Sequence, residues 1–185
     1  MPFDAPSEAP PVAALFAAAD VGAVLREHGW IGASRDIAAD GALGQWCARA
    51  AELLALHAAD RAALADLLAL VFAYDAQSLV REPTNQAVLA REGARDVIRE
   101  VANCLLDGGD LDSDRFKEII DGVKAALPYR GRELFYPIRL ALAGRAGDGG
   151  LDRVILLLDA AARLDFSVPV KGARQRMLEF CAAFD

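Results

Sequence analysis

Apolar residues recur along this chain at intervals of three and four, the spacing that places them on one side of a helix. Trp46, Ala50, Leu53, Leu54 and His57 form one such stripe, and Leu64, Leu67, Leu68 and Val71 the next. Ala94, Val97, Ile98, Val101, Cys104 and Leu105 make a third, and Phe116, Ile119, Ile120, Val123 and Leu127 make the clearest. Leu151, Val154, Ile155 and Leu158 follow, and Met177, Cys181 and Phe184 form the last. No stretch alternates apolar and polar residues long enough for a strand. The pattern predicts an all-α protein, a multi-helix bundle of about seven to nine helices.

Turn and cap residues divide the same stretches. Asp60 is placed to cap a helix from Arg61, Thr84 follows Pro83 ahead of a long helix, and Ser113 precedes the Phe116 stripe. His28 and Gly29 read as a helix end, while the Gly- and Asp-rich segments 107–113 and 144–150 read as connections. Residues 1–11, with Pro2, Ser7, Pro10 and Pro11, read as a flexible amino-terminal segment. An amino-terminal helical lobe is expected over 12–78 and a carboxy-terminal lobe over 79–185, hinged at SLVREPTN, residues 78–85. The helical pairs share no repeated signature, which argues against a solenoid.

Composition narrows the class. With 185 residues, 55% hydrophobic and 25% charged, the chain has enough apolar material for a substantial core and is not of disordered type. The amino terminus is acidic and Asp20 interrupts its apolar run, so neither an export signal nor a membrane span is expected. Cys47, Cys104 and Cys181 are odd in number and far apart, and read as reduced, buried thiols of a cytoplasmic protein. The net charge of −7 argues against a general polyanion binder. The charge is uneven, however: residues 1–75 carry 4 basic and 10 acidic groups, 76–128 carry 7 and 10, and 129–185 carry 9 and 7. Only the last third is net positive.

No enzyme chemistry is legible. His28 and His57 are the only histidines; His57 falls on an apolar stripe and reads as a packed or boundary residue, so no metal site is expected. There is no nucleophile elbow, no phosphate-cradling glycine loop and no calcium loop among the aspartates at 107–112, so no cofactor is expected either.

The exception is GRELFYPIRLALAG, residues 131–144, where an arginine stands inside an apolar run and a proline stands near a helix start. Proline is tolerated in the first turn, so the helix is expected to begin near Leu134 and to end at Gly144. Arg132, Phe135, Tyr136, Arg139 and Ala143 would share one side, and Leu134, Ile138, Ala141 and Arg145 the other. Arg130, Gly131, Leu134, Phe135, Pro137, Arg139, Ala141, Leu142 and Gly144 resemble a pattern in the anticodon-binding region of bacterial glutamyl-tRNA synthetases. The stretch from Ser113 to Phe135 and the helix GLDRVILLLD are similar to the flanks of that pattern, and VFAYDAQSLVREPTNQAVL resembles the family's Phe-rich turn with a Tyr-Asp pair. The likeness spans roughly residues 20–160 and is strongest over 113–158. The family's catalytic motifs have no counterpart, its Gly-Pro after the motif is replaced in GRAGDGG, and the tail from Asp165 departs from its usual ending.

The resemblance implies a non-catalytic tRNA-binding module with an anticodon-binding-domain-like bundle of two helical lobes, its partner a tRNA of glutamate or glutamine type. Arg130, Arg132 and Arg145 would carry the affinity, with Tyr129 or Tyr136 for stacking. For Arg139 an RNA contact stands beside a structural role, in which the stem lies on Phe135 and the head pairs with a carboxylate or backbone carbonyls; its place between Ile138 and Leu140 favours the latter. Two alternatives follow from the departures: a protein-interaction or regulatory module that no longer binds RNA, or the detached half of a split synthetase working with a separate catalytic chain.

Overall fold

The computed structural model describes residues 16–185; the expected amino-terminal segment 1–11 lies outside the described residues. Eleven helices and no strand occur among them. They are α1 (Ala18–Glu27), α2 (Ala42–Leu54), α3 (Arg61–Phe72), α4 (Ala76–Arg81), α5 (Pro83–Leu89), α6 (Ala94–Leu106), α7 (Ser113–Ala126), α8 (Arg132–Ala143), α9 (Gly150–Ile155), α10 (Leu158–Ala162) and α11 (Ala173–Phe184). The predicted count is exceeded because α4, α9 and α10 are single turns of five or six residues, too short to show a period.

Local chemistry sets the boundaries. Asp60 caps α3 by accepting from the Ala63 amide at 2.8 Å. For α7 the cap is Asp112, accepting from Arg115 at 2.9 Å, with Ser113 one residue inside. The expected hinge at 78–85 is helical, with Glu82 as the joint between α4 and α5 and Pro83 at the first position of α5. The long helix expected after Thr84 is broken at Gly93, whose φ of 82° is left-handed; the Tyr129 ring packs where a Cβ would stand. α1 ends at His28 with Gly29 at φ 70°, and the exposed His28 ring stacks on Trp30. The chain has turned out of α2 by residue 57, so His57 is exposed instead of packed on the stripe.

Apolar faces from all parts of the described chain meet in one cluster, running from Val21 and Leu54 through Ile98, Val123, Leu134 and Ile155 to Phe180. α8 lies at its centre, packed on α5, α6, α9 and α11, and every residue from Pro137 to Ala143 is buried. The second half of α8 therefore has no solvent face, and the expected division into two sides holds only in its first turns. Pro137 is the sixth residue of this helix, two residues further in than expected, because α8 starts at Arg132 behind Gly131, whose φ is 54°. Proline at that position leaves one carbonyl without its helical donor, that of Glu133, an exposed residue in the first turn.

The tail after Asp165 closes the bundle. Phe166 sits edge-on to Trp46 at 5.4 Å and to Phe72 at 5.0 Å, while the Trp46 indole donates to the Leu157 carbonyl at 3.2 Å. Asp159 accepts from the Leu111 and Ala173 amides, both at 2.7 Å, and so ties the 107–112 loop to the start of α11. Arg176 has no exposed surface. Its guanidinium donates to the carbonyls of Lys171, Leu70 and Leu142 at 2.9 Å and of Val71 at 2.6 Å, and lies 4.5 Å over the Tyr74 ring. The Tyr74 hydroxyl donates to the Ala141 carbonyl at 2.6 Å. Leu70, Val71, Ala141 and Leu142 are in the last turns of α3 and α8, where carbonyls lack helical donors.

Burial raises two ionisations. The Cys47 thiol, fully enclosed, is pushed up to about 11, and desolvation raises the Tyr74 phenol as well. Both folded values exceed the unfolded ones, so the Cys47 contribution is complete below about pH 9 and is lost as pH rises through about 11, and that of Tyr74 is lost over a higher range. The urea midpoint should fall over that window, and Cys47→Ala should recover about 2 kcal/mol of the loss. A profile flat to pH 11 would contradict the burial of both groups.

Candidate nucleic-acid interface

The motif helix distributes its arginines to different ends and different tasks. Arg130 folds back on α7, donating to the carbonyls of Lys124 and Leu127 at 2.7 Å and of Tyr129 at 2.6 Å. It satisfies the open end of that helix while its residue remains exposed. Arg132 is exposed on the first turn of α8 and lies 5.9 Å over the half-buried Tyr136 ring. Tyr129 is half-buried, its ring held against Gly93. Its phenol is raised by desolvation and then by Asp96, Glu92 and Glu133, so three carboxylates surround the start of α8.

Arg139 is occupied. Its Nε and Nη2 donate to the two carboxylate oxygens of Asp152, each at 2.7 Å, Nη1 donates to the Gly147 carbonyl at 2.7 Å, and the head lies 4.8 Å over Phe135. Both side chains are mostly buried, 11% and 21% exposed. This bidentate pair joins α8 to α9 and pins the loop between them. Gly144, at φ 80°, starts that loop with its α-carbon facing Tyr74 and Leu79.

Arg145 is exposed on the loop, at the other end of α8 from Arg132; a twelve-residue helix spans about 18 Å. It lines a cleft of about 270 Å³ with His57, Asp66, Leu67, Asp148 and Leu151. A second cleft of about 290 Å³ has His57, Ser113, Phe116, Gly149, Arg153 and Leu156 in its wall. His57 is common to both. The structure thus groups Arg130, Arg132, Tyr129 and Tyr136 at the start of α8 and sets Arg145 apart, in one of the two clefts that His57 borders, with Arg153 in the other. Arg153 escapes a sequence reading because an exposed arginine on a short amphipathic turn carries no distinguishing signal. Asp152 escapes because its role depends on a chain reversal thirteen residues after Arg139.

Among the described residues no three His, Cys, Asp or Glu side chains gather as metal ligands, and no helix is long and apolar enough to cross a membrane. Cys47, Cys104 and Cys181 are free thiols, the first buried and the others partly so.

An all-helical bundle threaded by one proline-containing, arginine-bearing helix is the class of protein that these features define. Residues 25–164 match the anticodon binding domain, and the chain belongs to that family. Membership supports a tRNA-binding module of synthetase type, and is compatible with a chain that has no catalytic activity of its own. No curated protein and no solved structure shows significant similarity to the chain.

Removing one partner of a mostly buried ion pair strands the other. Arg139→Ala should therefore lower unfolding free energy by about 2–4 kcal/mol in urea titrations. Arg132→Ala and Arg145→Ala, at exposed positions, should each change it by less than about 0.5 kcal/mol. Equal effects at the three positions would contradict the division of roles.

Proposed function

We propose that this protein is a cytoplasmic, non-catalytic tRNA-binding module related to the anticodon-binding domain of glutamyl-tRNA synthetase, with glutamate- or glutamine-type tRNA as its partner. The observation that carries the reading is the family match over residues 25–164, which contains the whole of the 130–144 motif. The geometry favours Arg132 and Arg145 as RNA contacts, because neither has a carboxylate partner among the described salt bridges, unlike Arg139. Tyr136 lies beside Arg132 for base stacking, and Arg130 and Tyr129 serve the same end of α8 with their groups partly engaged by backbone and by Gly93. In this reading Arg139 supports the loop that carries Arg145 and does not itself read a base.

The carboxylates of Glu92, Asp96 and Glu133 around Tyr129 favour a second reading, a protein-interaction module or the detached half of a split synthetase that meets a separate chain through that end. Phosphate there would meet negative charge.

Titration of labelled tRNA separates the two. Affinity should drop by about tenfold or more between 50 and 200 mM salt if several phosphates are contacted. Combined Arg132→Glu and Arg145→Glu substitution should abolish binding without moving the urea midpoint, and glutamate or glutamine tRNA should outcompete other tRNAs. No binding at tens of micromolar protein would sink the tRNA reading.

A further inference from the structure

We propose that residues 165–185 form a latch that fixes the end of α8 and thereby the 144–150 loop. The latch has two catches. The first is a strap: Phe166 enters the aromatic cluster of Trp46 and Phe72, the Ser167 amide donates to the Trp30 carbonyl at 2.8 Å, and Arg35 donates to the Asp165 carbonyl. The second is α11, where the Arg176 guanidinium spans the last carbonyls of α3 and α8.

The second catch acts at the root of the loop. Leu142, whose carbonyl it holds, is two residues before Gly144, and the Tyr74 ring beneath the guanidinium also faces Gly144. The same Tyr74 hydroxyl bonds the Ala141 carbonyl. Two consecutive carbonyls at the end of the motif helix are thus set by contacts that the tail completes. Residues 165–185 follow position 164, where the family match ends, so the latching segment lies beyond the matched domain while the groups it holds lie within it.

Its chemistry suits a device that sets geometry more than stability. Among the described salt bridges none involves Arg176, so the buried cation is held by peptide dipoles, an aromatic face and the distant Glu179. Desolvation pulls its pKa down to about 10, the mark of a charge that the interior tolerates at a cost. Lysine could not replace it, because one ammonium has three donors and no planar fork to span two helix ends and the Lys171 carbonyl.

The consequence for RNA rests on the tRNA reading above, since the latched loop carries Arg145. Hydrogen exchange read by mass spectrometry on the full chain tests the latch without RNA. In Arg176→Lys, amides of 140–150 and 165–185 should exchange about tenfold faster or more, while α7 is unchanged. Phe166→Ala, which leaves the buried guanidinium in place, should loosen the same two stretches by a smaller factor and keeps the test open if Arg176→Lys fails to fold. Unchanged exchange in 140–150, or equal acceleration in α7, would overturn the latch. With tRNA added, Arg176→Lys should bind more weakly although Arg176 has no surface to offer; full affinity in a variant with a loosened loop would overturn the coupling. If the unaltered protein binds no tRNA, the proposed function fails while the exchange result still decides the latch.

Discussion

The Arg176 guanidinium occupies the place where α3 and α8 would otherwise turn their terminal carbonyls toward each other in an interior without water. Each of those helices ends with acceptors that no helical donor reaches, and unpaired buried acceptors are costly. One planar cation with donors on several edges resolves both ends at once, which neither a hydroxyl nor an amide could do. The aromatic ring of Tyr74 below it and the packing of Phe180 beside it on α11 depend on that placement. So does the position of α8, whose buried second half is the axis of the bundle.

Along α8 the arginines illustrate how little a residue type says about its task. Arg130 finishes the preceding helix and Arg139 ties the following one, while Arg132 and Arg145 make no ion pair among the described residues. The motif is therefore chiefly a structural unit, a helix with its own connections to either side, and a partner would meet its margins. Exposed positions can therefore change without disturbing this scaffold.

The helical character and the main stripes were legible because burial follows the 3.6-residue period directly: Val97, Ile98, Val101 and Leu105 are all enclosed. The motif pointed to an anticodon-binding domain, which the match over 25–164 shows, and the apolar neighbours of Arg139 favoured an engaged head. What was not legible depends on tertiary folding. The break at Gly93 follows from a tyrosine ring thirty-six residues away, the start of α8 from a left-handed glycine, and the exposure of His57 from a helix that ends three residues before it. Arg176 looked like any polar residue of a terminal helix, since nothing local distinguishes an arginine that will be swallowed by carbonyls from distant segments. Its burial is a property of topology.

The same contact has a meaning for how the chain is made. Arg176 reaches acceptors 106, 105 and 34 positions earlier in the sequence. During synthesis from the amino terminus, α3 and α8 are both complete before their shared donor leaves the ribosome. Until then their ends can be satisfied only by water, and the groove that α11 fills stands open. The end of the motif helix gains its buried donor only once this later segment has been made, so α11 commits the nascent bundle to its final arrangement.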